Sequence, residues 1–383
     1  MSFEIPFNKP YLAGNELQYI EQAIRSGKIS GNGDFTKLCQ QYFEKKYNFG
    51  KCFLTTSCTD ALEMAAILLE IKPGDEVIMP AYTFVSTANA FVLRGAKIIF
   101  VDSRDDHPGM DEGKIEQLIT QRTKAIVVVH YAGVSCDMDK VMDLARLHDL
   151  FVVEDAAHAV DSFYLTEDGD EVALGSIGHL AAFSFHETKN IISGEGGMLV
   201  VNEEKFQKRA EVIWEKGTNR SAFFRGEVDK YNWVDIGSSF LPSEITAAFL
   251  WAQLENLDRI QGKRLQLWNK YFELLSSDRS KLNLNLPFIP EYATNNAHIF
   301  YVVCTDTIDR DKIMQRLKSK GILAVFHYIN LAKSPFYRAK EKNENLDYLN
   351  ADKYTDCLLR LPLFYELGTE VIDQIGETIN ETI

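Results

Sequence analysis

The chain has 383 residues, 46% hydrophobic and 25% charged, a globular balance at a length that exceeds what one core usually serves, so a large unit and a smaller one are expected. A formal net charge of −14 argues against a nucleic-acid partner, because phosphate backbones reward clustered positive charge. No stretch approaches the apolar length of a membrane helix, and Met1-Ser2-Phe3-Glu4-Ile5-Pro6 lacks a basic patch followed by an apolar run, so a cytoplasmic protein without membrane insertion is expected. Cys39, Cys52, Cys58, Cys136, Cys304 and Cys357 show neither a Cys-x-x-Cys pair nor a regular spacing, which speaks against a disulfide framework or a metal site.

In chain order, residues 14–25 and 34–47 read as amphipathic helices around the turn Ser30-Gly31-Asn32-Gly33-Asp34, with Asp34 placed to cap the second. From Phe53 onward, short apolar runs alternate with helical segments. Glu76–Met79, Ala96–Val101, Lys124–His130 and Leu150–Glu154 read as strands, and the stretches near 59–70, 84–94, 111–121 and 138–148 as helices. Such alternation predicts an α/β fold with a mostly parallel sheet covered on both faces. Leu180–Phe185 and Met198–Asn202 are strand-like but separated only by a polar, Gly-rich loop, so a hairpin-like insertion is expected there. Residues 243–275 carry long helical periodicity and bridge the large unit to the C-terminal one. The predicted division is a large domain over 1–250 and a small C-terminal α/β domain over 251–383. The latter has strands at His298–Val303 and Leu323–Tyr328 and helices at 309–320 and from about Thr369.

In an open parallel sheet, ligands gather at the carboxyl ends of the strands. Asp155 ends the run Leu150-Phe151-Val152-Val153-Glu154 and is followed by small residues; it either caps the next helix or faces a ligand. Lys189 follows a predicted strand and precedes Ser193-Gly194-Glu195-Gly196-Gly197. A lysine is ordinarily solvated surface, but pyridoxal phosphate needs a lysine for its aldehyde and a carboxylate facing its ring nitrogen. The separation of 34 positions from 155 to 189 suits neighbouring strands of one sheet. Thr55-Thr56-Ser57-Cys58-Thr59-Asp60 leads from a strand into a helix, and is either an ordinary cap or a phosphate-binding N-terminus. No Gly-x-Gly-x-x-Gly or Walker-type loop occurs. Between Lys216 and Lys230, Arg220 and Arg225 add two more cations in a predicted loop. That loop is either charged surface, offset by Glu227 and Asp229, or a grip for a ligand diphosphate.

Taken together, Pro80-Ala81-Tyr82-Thr83-Phe84-Val85-Ser86-Thr87, Glu154-Asp155-Ala156-Ala157-His158, Ser184-Phe185-His186-Glu187-Thr188-Lys189-Asn190 and Gly194-Glu195-Gly196-Gly197 resemble the DegT/DnrJ/EryC1/StrS sugar aminotransferases over nearly the whole chain. The resemblance implies fold type I of the pyridoxal-phosphate-dependent transferases, the aspartate aminotransferase-like architecture. It makes Lys189 the lysine that holds the aldehyde of pyridoxal 5′-phosphate and Asp155 the partner of the pyridine nitrogen. Phe84 would stack on the cofactor ring, and His158 would lie near its phenolic oxygen. Ser57, Cys58 and Ser184 fall at the phosphate positions. Ser57-Cys58 departs from the commoner Gly-Thr, and Ser239 stands where an Asn normally reaches the neighbouring subunit's cofactor phosphate.

Asn219, Arg220, Arg225, His327 and Tyr328 are the implied sugar-nucleotide contacts, and the implied assembly is a homodimer with shared sites. The implied reaction takes an amino group from L-glutamate, through pyridoxamine 5′-phosphate, to C4 of a dTDP-linked 4-keto-6-deoxyhexose. The product would be dTDP-4-amino-4,6-dideoxygalactose for surface polysaccharide, including enterobacterial common antigen. Further stretches shared with that subgroup are Gly217-Thr218-Asn219-Arg220-Ser221, Phe223-Phe224-Arg225-Gly226 and Asp235-Ile236-Gly237-Ser238-Ser239. The alternatives are amination at C3 or another position of a nucleotide-linked keto-sugar, or a non-catalytic ligand-binding module on the same fold. The family's dehydratases carry histidine where this chain has Lys189.

Overall fold

The computed structural model describes residues 4–277, 284–340 and 347–382. Helices α1 (Glu16–Arg25) and α2 (Asp34–Lys46) precede β1 (Lys51–Thr55). Then come α3 (Cys58–Leu68), β2 (Glu76–Pro80), α4 (Val85–Val92), β3 (Lys97–Val101), β4 (Thr123–Val129), α5 (Met138–His148) and β5 (Phe151–Asp155). A small hairpin, β6 (Phe163–Leu165) and β7 (Glu171–Ala173), leads to β8 (Leu180–Ser184) and β9 (Gly197–Val201). Four helices come next: α6 (Glu204–Trp214), α7 (Arg220–Phe224), α8 (Glu244–Leu254) and α9 (Leu257–Ser277). The remainder runs β10 (Leu284–Asn285), β11 (Phe300–Cys304), α10 (Thr307–Ser319), α11 (Pro335–Lys340), α12 (Leu349–Cys357), β12 (Leu358–Leu361) and α13 (Thr369–Asn380).

The large sheet has the order β1-β9-β8-β5-β4-β2-β3. Its centre is parallel, and β9 pairs antiparallel with both β8 and β1. Side chains alternate across a strand, and both faces are covered, so the apolar runs feed two cores. Val77, Met79, Ala125, Val127 and Val153 enter one; Ile78, Ile126, Val128 and Val152 enter the other. The first core continues into the antiparallel sheet β10-β11-β12 through Phe300, Val302 and Leu359, so the smaller sheet is packed onto the end of the larger one.

The hairpin-like pairing after Asp155 is present, since β8 and β9 are antiparallel neighbours. Several expectations need correction. The helix at 111–121 is instead two 3-10 turns, Glu112–Lys114 and Glu116–Leu118. Asp111 folds its carboxylate back onto the amide of Gly113, and Glu112 is turned inward to accept from the amide of Asp137 at 2.8 Å; both compete with helix propagation. Leu323–Tyr328 is not a strand. The Leu323 amide donates to the Ile5 carbonyl at 3.0 Å and Val325 exchanges two backbone hydrogen bonds with Arg360, but these are isolated pairings, after which the chain turns towards the large sheet. The periodicity over 243–275 is two helices, broken at Glu255-Asn256. The loop at 216–230 contains the short helix α7.

Asp34 does not cap α2. Gly33 is the N-cap residue, and the orphan amides are met by Glu244, at the first turn of α8. Its carboxylate accepts from the amides of Gly33 at 2.9 Å, Phe35 at 2.8 Å and Thr36 at 3.1 Å, and from the Thr36 hydroxyl. A negative charge at a helix N-terminus is favourable, and here it joins two distant segments in a buried place. Replacing Glu244 with alanine leaves four buried donors unpaired, so Glu244→Ala is expected to lower unfolding stability by about 2–4 kcal/mol. A shift of the urea midpoint equivalent to less than about 0.5 kcal/mol would show that the cap is dispensable.

Candidate active site

A cleft of about 700 Å³ opens at the carboxyl ends of the parallel strands, between the large sheet and the smaller one. Ser57 and Cys58 reach it from the end of β1, Thr83 and Phe84 from beyond β2, Asp155 from the end of β5 and Ser184 from the end of β8. His327, Tyr328 and Arg360 close it from the small-sheet side. The parallel pairing of β5 with β8 sets Asp155 opposite Ala182, so the carboxylate and the loop carrying Lys189 are neighbours, as the 34-residue spacing suggested.

Asp155 does not cap a helix, since a turn follows it. Its Oδ2 accepts from the Thr87 hydroxyl at 2.7 Å and its Oδ1 from the amide of Ala157 at 3.2 Å. Thr87 in turn contacts the Thr83 hydroxyl at 2.9 Å. Burial pushes the Asp155 carboxyl up, against the downward pull of the Thr87 hydroxyl, the Ala157 amide and the charges of Lys189 and His130. The strand end is fixed from behind by Glu154. This buried carboxylate meets His130 Nε2 at 2.9 Å and accepts from the amides of Gly175, Ile177 and Gly178.

The loop bearing Lys189 is pinned at its base, where the Phe185 amide bonds to the carbonyl of Gly196 at 2.8 Å and the Glu187 amide to that of Gly194 at 2.9 Å. Next to the lysine, buried Asn190 donates to Gln261 on α9 at 2.8 Å and to the Asn296 carbonyl at 2.9 Å, and meets His298 Nδ1 at 2.8 Å. Burial lowers the Lys189 amine to about 8, with Arg360 adding repulsion, while Cys58 and Asp155 pull the other way. Desolvation favours the neutral amine, which is the nucleophilic form. Lys189 and Asp155 share the cleft without forming a direct ion pair.

His158 is buried and held neutral. The Ala132 amide donates to its Nδ1 at 3.2 Å, so the ring proton is on Nε2, which faces the Tyr328 hydroxyl at 3.1 Å. Burial and the charges of Lys189 and Arg360 depress its basicity. His327 stacks on Tyr328 at 3.6 Å between centroids and bonds through Nδ1 to the Tyr131 hydroxyl at 2.7 Å.

Ser57 is both a cap and a candidate cradle. Its hydroxyl accepts from the amide of Asp60 at 3.1 Å, and the first residues of α3 line the cleft. Gly197 on β9 permits this turn, because a Cβ there would lie 2.3 Å from the Ser57 carbonyl carbon. Phe84 is exposed on the cleft wall, its ring 6.1 Å from that of Tyr328. These residues fit pyridoxal phosphate: an enclosed amine, a buried carboxyl short of cationic partners, an aromatic face, and helix amides beside small hydroxyl residues.

The remaining sequence candidates lie outside this chain's cleft. Ser239 is exposed and bridged to Glu215. Asn219 accepts from the amide of Asn232 at 2.7 Å. Arg225 is held by Glu211 and Glu227, while exposed Arg220 lies over the Phe224 ring at 5.2 Å and makes no ion pair among the described residues. His298 and Arg360 line the cleft, and Thr87, Tyr131 and Asn190 hold the lining residues Asp155, His327 and His298; none of the five is singled out by sequence. Thr87 and Asn190 stand within the quoted motifs, and Arg360 has one signal, a cation inside Leu358-Leu359-Arg360-Leu361.

If Lys189 is the cofactor lysine, borohydride reduction of the holoprotein fixes the cofactor to its peptide alone. In the cofactor-free protein, lowering its pKa to about 8 makes the reactive neutral fraction grow as pH rises through 8, rather than through the about 10.4 of an exposed lysine. Trinitrobenzenesulfonate labelling of the Lys189 peptide should therefore be half-maximal near pH 8. A midpoint above about 10 would place the amine in solvent.

The model of the DegT/DnrJ/EryC1/StrS aminotransferase family matches residues 10–380. Among curated proteins, the spore coat polysaccharide biosynthesis protein SpsC of Bacillus subtilis (strain 168) is 31% identical over 387 residues, covering 99% of this chain and 97% of that protein. Among solved structures, the putative sugar aminotransferase Spr1654 of Streptococcus pneumoniae in its PLP form superposes with a TM-score of 0.88 at 26% identity, covering 99% of this chain and 98% of that one. DesV of S. venezuelae superposes with a TM-score of 0.87 at 27% identity, covering 100% and 98%. The chain belongs to the DegT/DnrJ/EryC1/StrS aminotransferase family and has the fold type I architecture of pyridoxal-phosphate-dependent transferases.

Proposed function

We propose that this aminotransferase uses pyridoxal phosphate to move an amino group from L-glutamate to C4 of a dTDP-linked 4-keto-6-deoxyhexose. The product would be dTDP-4-amino-4,6-dideoxygalactose, made in the cytoplasm for a surface polysaccharide. The observation that carries the chemistry is the enclosure of Lys189 and Asp155 in one cleft at the strand ends. The choice of sugar is supported by the stretches 217–226 and 235–239, which resemble that subgroup. A role in polysaccharide synthesis is supported by the name of the Bacillus relative, and a sugar acceptor by the name of the pneumococcal one. Among the described residues no helix is long and apolar enough to cross a membrane.

When bound, pyridoxal phosphate supplies an electron sink that makes a proton on the amine-bearing carbon removable. Asp155 keeps the ring nitrogen protonated by charge pairing. Ser57, Cys58 and Ser184 would hold the phosphate, Phe84 the ring face, and His158 the side of the phenolic oxygen. Lys189, once free, takes the proton from the donor's α-carbon and later returns one to C4 of the sugar, acting as base and then acid. Its lowered basicity suits both directions.

We propose a homodimer in which residues 219–239 of one chain reach the other's cleft. Support comes from the apolar side chains this segment leaves exposed, Trp233 at 83% and Phe224 at 70% among them, beside Tyr231 and Val234. Patches of this kind mark protein–protein contacts. Ser239 and Arg220, which has no ion pair among the described residues, would then serve the neighbouring site, with Asn219 beside them, whereas Arg225 is already neutralised by two carboxylates.

Two substitutions test this reading. Asp155→Asn removes the charge but preserves the shape and is expected to cost on the order of 100-fold or more in kcat; near-normal turnover would remove Asp155 from the chemistry. Arg220→Ala should raise the KM for the sugar nucleotide about tenfold or more while changing the glutamate half-reaction less than about twofold. A collapse of the glutamate step would assign Arg220 to the cofactor or donor instead. No change in either step would make it solvated surface.

A further inference from the structure

Residues 4–13 run past the mouth of the cleft as a strap fixed at both ends. The start is tied to the small-sheet side. There the Ile5 amide donates to the carbonyl of Gly321 at 3.2 Å and the Leu323 amide to that of Ile5 at 3.0 Å, a parallel bridge between Ile5 and Ile322. Two residues on, the Arg360 guanidinium of β12 lies over the Phe7 ring, 4.4 Å from its centroid. The far end belongs to the large unit. Gln253 on α8 donates to the Tyr11 carbonyl at 2.9 Å, and Glu16 on α1 accepts from the amides of Ala13 and Gly14 at 2.6 and 2.8 Å. Between these anchors Phe7 and Asn8 line the cleft. The Asn8 side-chain amide donates to the carbonyl of Glu187 at 3.1 Å, 179 positions later in the chain and two residues before Lys189.

We propose that this strap couples the small-sheet side of the cleft to the loop bearing Lys189, and that Asn8 is the positioning residue through which it acts. This rests on the aminotransferase reading of Lys189 and adds a residue that sets where its amine stands. The loop is held at its base by the Glu187 amide on the Gly194 carbonyl, and its turn is closed by the Lys189 amide on the carbonyl of His186, each at 2.9 Å. The Asn8 bond adds a hold from a different part of the fold. Pro6 and Pro10 flank the contact; their fixed φ angles stiffen the strap, so a shift of its small-sheet end is delivered to Glu187 and not absorbed by slack chain. Phe7, packed against the guanidinium, keeps the strap seated on that side. A half-exposed hydrogen bond of this kind is worth about a fivefold factor in an equilibrium, enough to loosen a loop but not to unfold the protein.

The test compares wild-type holoenzyme with Asn8→Ala, Asn8→Gln and Ile5→Pro, the last removing the amide that holds the small-sheet end while leaving Asn8 in place. Two readouts are taken: hydrogen exchange of the 186–190 peptide, whose Glu187 and Lys189 amides are bonded within the loop, and the rate of the cofactor's colour change with L-glutamate. Asn8→Ala should raise the exchange about fivefold and slow the colour change at saturating glutamate by a similar factor, with the half-saturating concentration changed less than about twofold and the urea midpoint unaltered. Asn8→Gln, which keeps the donor, should regain part of both losses. Ile5→Pro should reproduce the faster exchange at 186–190 although it lies at the other end of the strap. Unaltered exchange in Asn8→Ala would make the contact incidental and overturn the proposal. A response to Asn8→Ala without one to Ile5→Pro would make Asn8 a local brace and remove the coupling. A change confined to the half-saturating concentration would make Asn8 a substrate contact and overturn it too. A wild-type enzyme whose colour changes with no amino acid would instead overturn the aminotransferase reading, while the exchange readout still decides whether the strap governs the loop.

Discussion

The structure is organised around one constraint: an amine and a carboxylate must be kept in the same enclosed cleft without neutralising each other. In a dry site they would gain by pairing directly; on the proposed reading, a paired lysine would be a poor nucleophile and a paired aspartate would have nothing to offer a ring nitrogen. Each is therefore held by its own network. Asp155 is tied through Thr87 to Thr83 and to the amide of Ala157. Lys189 sits on a loop closed by Gly194 and Gly196, and its neighbour Asn190 is anchored to three partners on other segments. The residual attraction between the two is one of several influences, and desolvation dominates both.

The second consequence is that the small sheet belongs to the site. Arg264 on α9 is buried and donates to the carbonyls of Ala297 and His298 at 3.1 and 2.8 Å, fixing the approach to β11. His298 meets Asn190, and its ring lies 4.3 Å from that of His158. Asn296 donates to the carbonyls of His158 and Val160, while Tyr328 reaches His158 Nε2. The wall facing Lys189 is thus built from residues more than a hundred positions later in the chain. Burial and the nearby cations keep its imidazoles neutral, so they act as hydrogen-bonding and stacking groups.

How much of this the sequence disclosed depends on how local each signal was. Asp155 and Lys189 follow apolar runs at a spacing that allows adjacent strands, but that alone left a helix cap and a surface lysine open, and it was the resemblance of the surrounding motifs that singled them out. The parallel sheet was legible from the alternation of apolar runs with helical segments. Glu244 was not, since a cap supplied from 211 positions away leaves no local mark beside Gly33. Leu323–Tyr328 has strand-like composition, but its pairing was decided by how few of its amides find a partner. Likewise 111–121 has helical spacing that Asp111 and Glu112 defeat by using their carboxylates on nearby amides. Arg360 was invisible as a site residue because a cation within Leu-Leu-Arg-Leu reads as the outward position of an edge strand. Only the packing of β12 against the cleft turns it inward.

The measurement that reaches the central claim most directly is a single turnover of the pyridoxamine-phosphate form with dTDP-4-keto-6-deoxyglucose, followed by NMR of the sugar product. The account predicts return of the pyridoxal-phosphate spectrum with nitrogen on C4 in the galacto configuration. Nitrogen on C3, or a spectrum that stays in the pyridoxamine form, would contradict it.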